Sequence, residues 1–180
     1  MSKKVIIISS SPRKGGNSEC LVNEFERGAV ESGNSVEKVY LYDKKISFCK
    51  GCFGCLNTNK CVIQDDAIEI AQKMLTSDVV VFATPVYYYS VSGQLKTMLD
   101  RANPLYGSDY LFRDIYLLAT AAEDAGSSTF EGTEKAVQGW VDCFSNARLA
   151  GTVFAGGVNE MGDIKGHEAL MRAYEMGRKI

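Results

Sequence analysis

Short apolar runs alternate with stretches of helical periodicity along this sequence, and few folds satisfy that alternation. Val5-Ile6-Ile7-Ile8 and Val79-Val80-Val81-Phe82 are apolar at every position rather than at every second one. Such runs describe strands covered on both faces, as in a parallel sheet. Strands are expected at residues 4–9, 35–41, 78–83, 114–121 and 152–157. Helices are expected between them. The first spans 18–32, with Leu21, Val22, Phe25 and Ala29 on one face and Asn17 as its N-cap. The second is capped by Asp65 or Asp66 and turns Ile68, Ala71 and Leu75 inward. The third opens at Ser92 and carries Leu95, Met98 and Leu99. The fourth spans 133–147, burying Val137, Trp140, Val141 and Phe144. The last spans 167–178, with Leu170, Ala173 and Tyr174 inward. Five strands alternating with five helices make a doubly wound α/β fold with helices on both faces of a parallel sheet. In the order 2-1-3-4-5, the loops after strands one and three flank the point where strand order reverses, which is where ligands bind.

The bulk properties narrow the function. A chain of 180 residues can bury one full core, and no repeat or linker divides it. The formal net charge is -2, and the basic residues do not cluster beyond pairs such as Lys3-Lys4 and Lys44-Lys45. Nucleic acid and anionic membranes therefore have no electrostatic footprint here. The apolar run at 5–8 is too short for a signal peptide or a membrane span, so the expected compartment is the cytosol. There thiols stay reduced, and the six cysteines read as metal or redox residues rather than as disulfides.

Four of those cysteines are crowded together, as Cys49-x₂-Cys52-x₂-Cys55-x₅-Cys61. Structural cysteines scatter, whereas repeated C-x₂-C spacing gathers sulfurs around one centre. An iron–sulfur cluster, a structural zinc or a dithiol couple could each use such a loop.

The loop after the first strand, Ser9-Ser10-Ser11-Pro12-Arg13-Lys14-Gly15-Gly16-Asn17-Ser18, offers hydroxyls, two cations and the positive end of a helix. Together these make a phosphate cradle. Neither G-x-x-x-x-G-K-[ST] nor G-x-G-x-x-G is present, which disfavours a nucleoside-triphosphate loop and a dinucleotide fingerprint. The bland alternative is a polar, capped turn. After the third strand comes Thr84-Pro85-Val86-Tyr87-Tyr88-Tyr89-Ser90, whose tyrosines could wall a planar heterocycle or simply pack.

Taken in order, Ser11-Pro12-Arg13-Lys14-x-Gly16-Asn17-Ser18, Thr84-Pro85-Val86-Tyr87, Ser92-Gly93-x-Leu95-Lys96 and Asp100-Arg101 resemble the NADPH-dependent FMN reductase group of flavodoxin-like proteins. The resemblance implies one FMN-binding domain over residues 1–180, with a cysteine-rich loop at 43–64. It implies that the FMN phosphate lies on the loop from Ser9 and Ser11 through Arg13, Lys14, Gly16 and Asn17 to Ser18. It sets the isoalloxazine ring against Thr84, Pro85, Val86, Tyr87 and Tyr88, with Thr120, Ala121 and Ala122 nearby. Within that group, the cysteine run is similar to the motif of iron–sulfur flavoproteins. A [4Fe–4S] cluster on Cys49, Cys52, Cys55 and Cys61 is what this second resemblance implies, with Gly51 and Gly54 letting the backbone wrap it. It also implies homodimers or homotetramers, with a ferredoxin-type donor or a small-molecule acceptor as partner and NAD(P)H as a co-substrate.

The expected function is therefore an FMN-dependent oxidoreductase relaying electrons between flavin and cluster. A cluster-free NAD(P)H-dependent FMN or quinone reductase and a non-enzymatic flavodoxin-like carrier are the alternatives. No side-chain acid or base is required. His167, the one histidine, reads as a cap, and Asp65 and Asp66 read as helix-dipole partners. Lys96 reads as solvated, and Cys20 and Cys143 as small apolar fillers within helices.

Overall fold

The computed structural model describes residues 2–124 and 128–180. Its strands are β1 (Lys4–Ser9), β2 (Ser35–Tyr40), β3 (Val79–Tyr87), β4 (Ser90–Val91), β5 (Asp114–Thr120) and β6 (Arg148–Ala155). Its helices are α1 (Asn17–Glu31), α2 (Cys55–Thr58), α3 (Asp66–Leu75), α4 (Gly93–Arg101), α5 (Glu131–Val141) and α6 (Glu168–Arg178). The sheet runs β2-β1-β3-β5-β6, with every pair along this path parallel. This is the expected doubly wound order, with one addition. The two-residue strand β4 folds back antiparallel on the end of β3, pairing Tyr87 with Ser90.

The fully apolar strands are sandwiched as their sequence requires. Alternate residues point to opposite faces of a strand. Ile6 and Ile8 of β1 join a core with Ile70 and Met74 of α3, Leu95 and Met98 of α4, and Val137 of α5. Val5 and Ile7 join the other core, with Val22 and Phe25 of α1 and Ala169 and Ala173 of α6. Helices α3, α4 and α5 thus cover one face, and α1 and α6 cover the other. The two helices of the smaller layer cross very closely. A Cβ added at Gly177 would collide with the Phe25 carbonyl, and one at Gly28 with the Tyr174 carbonyl.

Several local expectations need correction. Gly16, not Asn17, caps α1. The Asn17 side chain instead donates to Glu160 O and accepts from Gly162 N. Asp65 does cap α3, accepting from Ala67 N, but the buried face is Ala67, Ile70, Ala71 and Met74, with Ile68 and Leu75 only partly buried. The fourth long helix ends at Val141, short of 147, and Phe144 is buried from the turn that follows. That early stop leaves Cys143 exposed, with its thiol on Gly139 O, so it fills no core. Cys20 is half-buried against the α1–α6 core. In α6 the buried line is Ala169, Ala173 and Gly177, and Tyr174 turns outward to Glu31. The His167 ring nitrogen accepts from Ala169 N as a cap.

Candidate functional site

The C-terminal ends of β1, β3, β5 and β6 surround a cavity of about 510 Å³. That size suits a cofactor. Ser11, Arg13, Gly16, Asn17 and Ser18 form one wall. Gly16 caps α1 without a side-chain bond. Glu19 N donates to Gly16 O and the Glu19 carboxylate accepts from Gly15 N, so the Asn17 and Ser18 amides are those left to face an anion at this helix end. The Ser18 and Thr120 hydroxyls share a buried hydrogen bond of 2.7 Å, joining this wall to the loop after β5. Arg13 Nη1 donates to Asn159 O at 2.9 Å, so the one cation of the wall is anchored to the loop after β6. The Asp163 carboxylate holds that loop in turn, accepting from Asn159 N and Glu160 N.

The opposite wall is Pro85, Val86, Tyr87, Tyr88 and Tyr89. Tyr88 and Tyr89 form the two-residue turn between β3 and β4, with φ of 49° and 60°. Hairpins of this length favour turns with positive φ at both positions, which Asn and Gly normally supply. Tyrosines in the left-handed region are strained, and strain of this kind gathers at binding sites. Tyr88 stands fully exposed at the cavity rim.

Of the residues expected from the sequence, Ser11, Arg13, Gly16, Asn17, Ser18, Pro85, Val86, Tyr87, Tyr88, Thr120 and Ala121 line this cavity. Ser9, Lys14 and Thr84 stand outside its wall. Ser9 is buried within β1. Lys14 lies over the Tyr42 ring, 5.0 Å from its centroid. Thr84 is buried and accepts from Ser92 N, while Ser92 donates to Ser10 and Ser10 to Ala83 O. These hydroxyls knit β1 to β3 just beneath the site. Glu123, Thr129, Val158, Asn159 and Met161 also line the cavity and were not anticipated. Val158 and Asn159 follow a strand C-terminus, so the rule that singled out the loops after strands one and three applies to them as well.

A second cavity of about 400 Å³ is lined by Cys49, Cys52, Cys55 and Cys61 together. Its far wall includes Asn103, Trp140, Phe144 and Cys143. Two of the sulfurs already accept hydrogen bonds, Cys49 from Gly51 N at 3.4 Å and Cys55 from Asn103 Nδ2 at 3.0 Å. Such bonds suit thiolate ligands of a metal. Among the described residues, however, no three Cys, His, Asp or Glu side chains converge in ligating geometry. The donor set fits a cluster, and the loop would have to close around it.

Beneath this loop Arg101 grips Asp65 through two bonds, Nη1 to Oδ2 at 2.6 Å and Nη2 to Oδ1 at 2.8 Å. Burial pushes the Asp65 pKa up, but the Arg101 bonds and the Ser47 and Ala67 amides outweigh it and hold the carboxyl at about 2. Burial likewise lowers the Arg101 pKa, and Asp65 and Cys61 beside it raise it by more. Sequence reading gave Asp65 only a capping role. Nothing local signals an ion pair across 36 residues.

Residues 3–156 match the NADPH-dependent FMN reductase family. An iron–sulfur flavoprotein of Methanosarcina thermophila is 34% identical over 135 residues, covering 75% of this chain and 69% of that protein. One of Archaeoglobus fulgidus is 42% identical over 101 residues, 56% of this chain and 46% of the relative. The matched segment thus spans about half the length of the latter, and 53% of an iron–sulfur flavoprotein from Methanocaldococcus jannaschii. Among solved structures, an NAD(P)H:quinone oxidoreductase from Methanothermobacter marburgensis superposes with a TM-score of 0.79 at 20% identity, covering 99% of this chain and 97% of that one. An azoreductase from Bacillus anthracis gives 0.77 at 18% identity, covering 100% of each chain. These two likenesses speak for the fold alone. On the match over residues 3–156 and the Methanosarcina relative, the chain belongs to the NADPH-dependent FMN reductase family and, within it, to the iron–sulfur flavoproteins.

Proposed function

We propose that this chain is an FMN-dependent oxidoreductase that also carries a [4Fe–4S] cluster on Cys49, Cys52, Cys55 and Cys61. The observation that carries the reading is the pair of cavities on one chain, one built to take an anionic cofactor and one lined by four thiols. When bound, FMN would exchange a hydride or single electrons, and a cluster would exchange single electrons.

The chain's own residues do the holding. Arg13 and the open amides at the start of α1 would take a phosphate, with Ser11 and Ser18 beside them. Ser18 and Thr120 are locked to each other, which fixes the spacing between the phosphate wall and the loop after β5. The backbone of Pro85, Val86 and Tyr87 would face the edge of a planar ring, and Tyr88 and Tyr89 would shield it from water. Gly51 and Asn103 would keep donating to the cysteine sulfurs. The proposed chemistry requires no side chain of the larger cavity as a general acid or base. The proposal extends to NAD(P)H as co-substrate, to a ferredoxin-type donor or small-molecule acceptor, and to a cytosolic homodimer or homotetramer. Among the described residues no helix is long and apolar enough to cross a membrane.

A second reading, a cluster-free NAD(P)H-dependent flavin or quinone reductase, is favoured by one observation. The cysteine sulfurs do not converge in threes. The flavin half of the proposal is tested by titrating flavin-free protein with FMN and with riboflavin, following fluorescence quenching. FMN should bind at least tenfold more tightly than riboflavin, and Arg13→Ala should remove most of that preference, as expected for a charge-assisted bond of about 1.5–3 kcal/mol. Equal affinities for the two flavins would sink the phosphate assignment.

A further inference from the structure

Residues 48–62 carry all four clustered cysteines and have little of their own to hold them in place. Helix α2, a single turn, is their one regular element, and most of their side chains are exposed. Their backbone bonds are local, such as Leu56 N to Phe53 O and Asn59 N to Cys55 O. Phe53 lies at φ of 56°, which adds strain, whereas Asn59 at φ of 51° is an ordinary left-handed cap of α2. Such a loop keeps one shape only if its ends are fixed.

Lys45 and Asp66 join the base, Lys45 N donating to Asp66 Oδ2 at 2.6 Å and Asp66 N to Lys45 O at 3.2 Å. Arg101, the last residue of α4, fixes the ends nearer the cysteines. Nη1 donates to Ser47 O at 2.8 Å, and Nη2 donates to Ile63 O at 3.1 Å. The same two nitrogens hold both oxygens of Asp65, and Ser47 N donates to Asp65 Oδ2 at 2.9 Å. One guanidinium therefore ties residue 47 to residues 63 and 65, across the whole cysteine stretch. Arg101 is the one charged side chain fully buried among the described residues. Burying a charge is unfavourable unless its hydrogen bonds are replaced, and the planar fork of arginine replaces four of them here. Its Nε–H is buried with no acceptor among the described residues, one donor more than this clasp uses. Two residues on, Asn103 reaches the middle of the loop through its bond to Cys55 Sγ.

We propose that Arg101 and Asn103 are positioning residues of the cysteine centre, Arg101 clasping the two ends of the loop and Asn103 holding Cys55, so that the four thiols face one cavity. Neither is a ligand. The inference rests on the cysteine loop being the cluster site. Neither residue lines the flavin cavity, so FMN content serves as an internal control.

The test reconstitutes the full chain anaerobically with ferrous iron and sulfide, as wild type, Arg101→Lys and Asn103→Leu. Iron, sulfide and FMN per chain are counted, and bleaching of the cluster absorption by a ferrous chelator is timed. Arg101→Lys keeps the charge and loses the fork, so it should bleach at least tenfold faster while unfolding cooperatively and keeping its FMN. Asn103→Leu should load a cluster whose midpoint potential is more negative, because a hydrogen bond to a ligand sulfur is lost. In metal-free protein, trypsin should cut after Lys50 and Lys60 at least tenfold faster in Arg101→Lys than in wild type. Equal chelator and trypsin rates, or an unchanged potential in Asn103→Leu, would overturn the proposal. If Arg101→Lys fails to fold, the double variant Arg101→Met, Asp65→Leu removes the charge pair together. It should show the same fast bleaching, and wild-type rates in it would also overturn the clasp. A wild type that takes up no iron and sulfide defeats the cluster reading itself. A loaded wild type with equally slow variants defeats only the clasp.

Discussion

Asp65 shows how far one residue's role can exceed its local signal. Its place before an apolar helical stretch made it legible as a cap, and it is one. Its partnership with Arg101 was not legible, because the fold alone brings the two together. The carboxyl titrates at about 2 in the folded chain against 3.8 ordinarily. A depressed folded value means that the unfolded chain binds the proton more readily. The stability it contributes is therefore present above about pH 4 and is lost as pH falls toward about 2. Urea denaturation across this range should show that loss in wild type, and Asp65→Asn should flatten it. At neutral pH the same variant strands a buried guanidinium and should lower stability by about 3–5 kcal/mol. A change below 1 kcal/mol would mean that the pair is not structural.

The tyrosine turn makes a complementary case at the same scale. Three consecutive tyrosines gave no hint that two of them occupy left-handed backbone. Replacing the pair by Tyr88→Asn with Tyr89→Gly should raise stability by about 1 kcal/mol, since it supplies the residues the turn prefers. Calorimetry should then show a Tm higher by about 2–4 °C. A lower Tm would mean that the tyrosine rings hold the hairpin through packing.

At the level of elements, strand and helix existence was readable, and helix phase and ends were less so. The strands were found because runs such as Val79–Phe82 are apolar at every position, a pattern a surface strand does not show. The inward face of α3 was drawn one position off because Ile68 and Leu75, only partly buried, repeat the seven-residue spacing of Ala67 and Met74 beside them. The end of α5 was missed because Phe144 continues the apolar spacing from outside the helix. The closeness of α1 and α6 was equally hidden, since Gly28 and Gly177 look like helix-weakening residues until the helices are crossed. Their packing also seats the loop ahead of α6, whose Asn159 and Glu160 carbonyls hold Arg13 and Asn17. Gly177→Ala should therefore lower stability by about 1–3 kcal/mol and weaken FMN binding at the same time. Denaturation and flavin titration on one preparation check both effects. Loss of stability with unchanged FMN affinity would uncouple this helix pair from the site.

For the whole molecule, the two most unusual stretches of sequence end in two separate cavities. That the loop after β1 would wall the larger cavity was legible because its composition is chemistry and its place at a strand C-terminus is topology. The gathering of the four cysteines at one cavity was legible from their spacing alone. The wall supplied by Glu123, Thr129, Val158, Asn159 and Met161 was not, since apolar and polar residues in ordinary loops carry no such spacing. The account stands on one protein holding a flavin and a cluster at distinct sites. The most direct measurement is iron, sulfide, zinc and flavin content on a single anaerobic preparation of wild type and of Cys55→Ser. The account predicts about four irons and four sulfides per FMN in wild type, and a variant that keeps flavin while losing iron. Zinc without sulfide, or flavin lost together with iron, would contradict it.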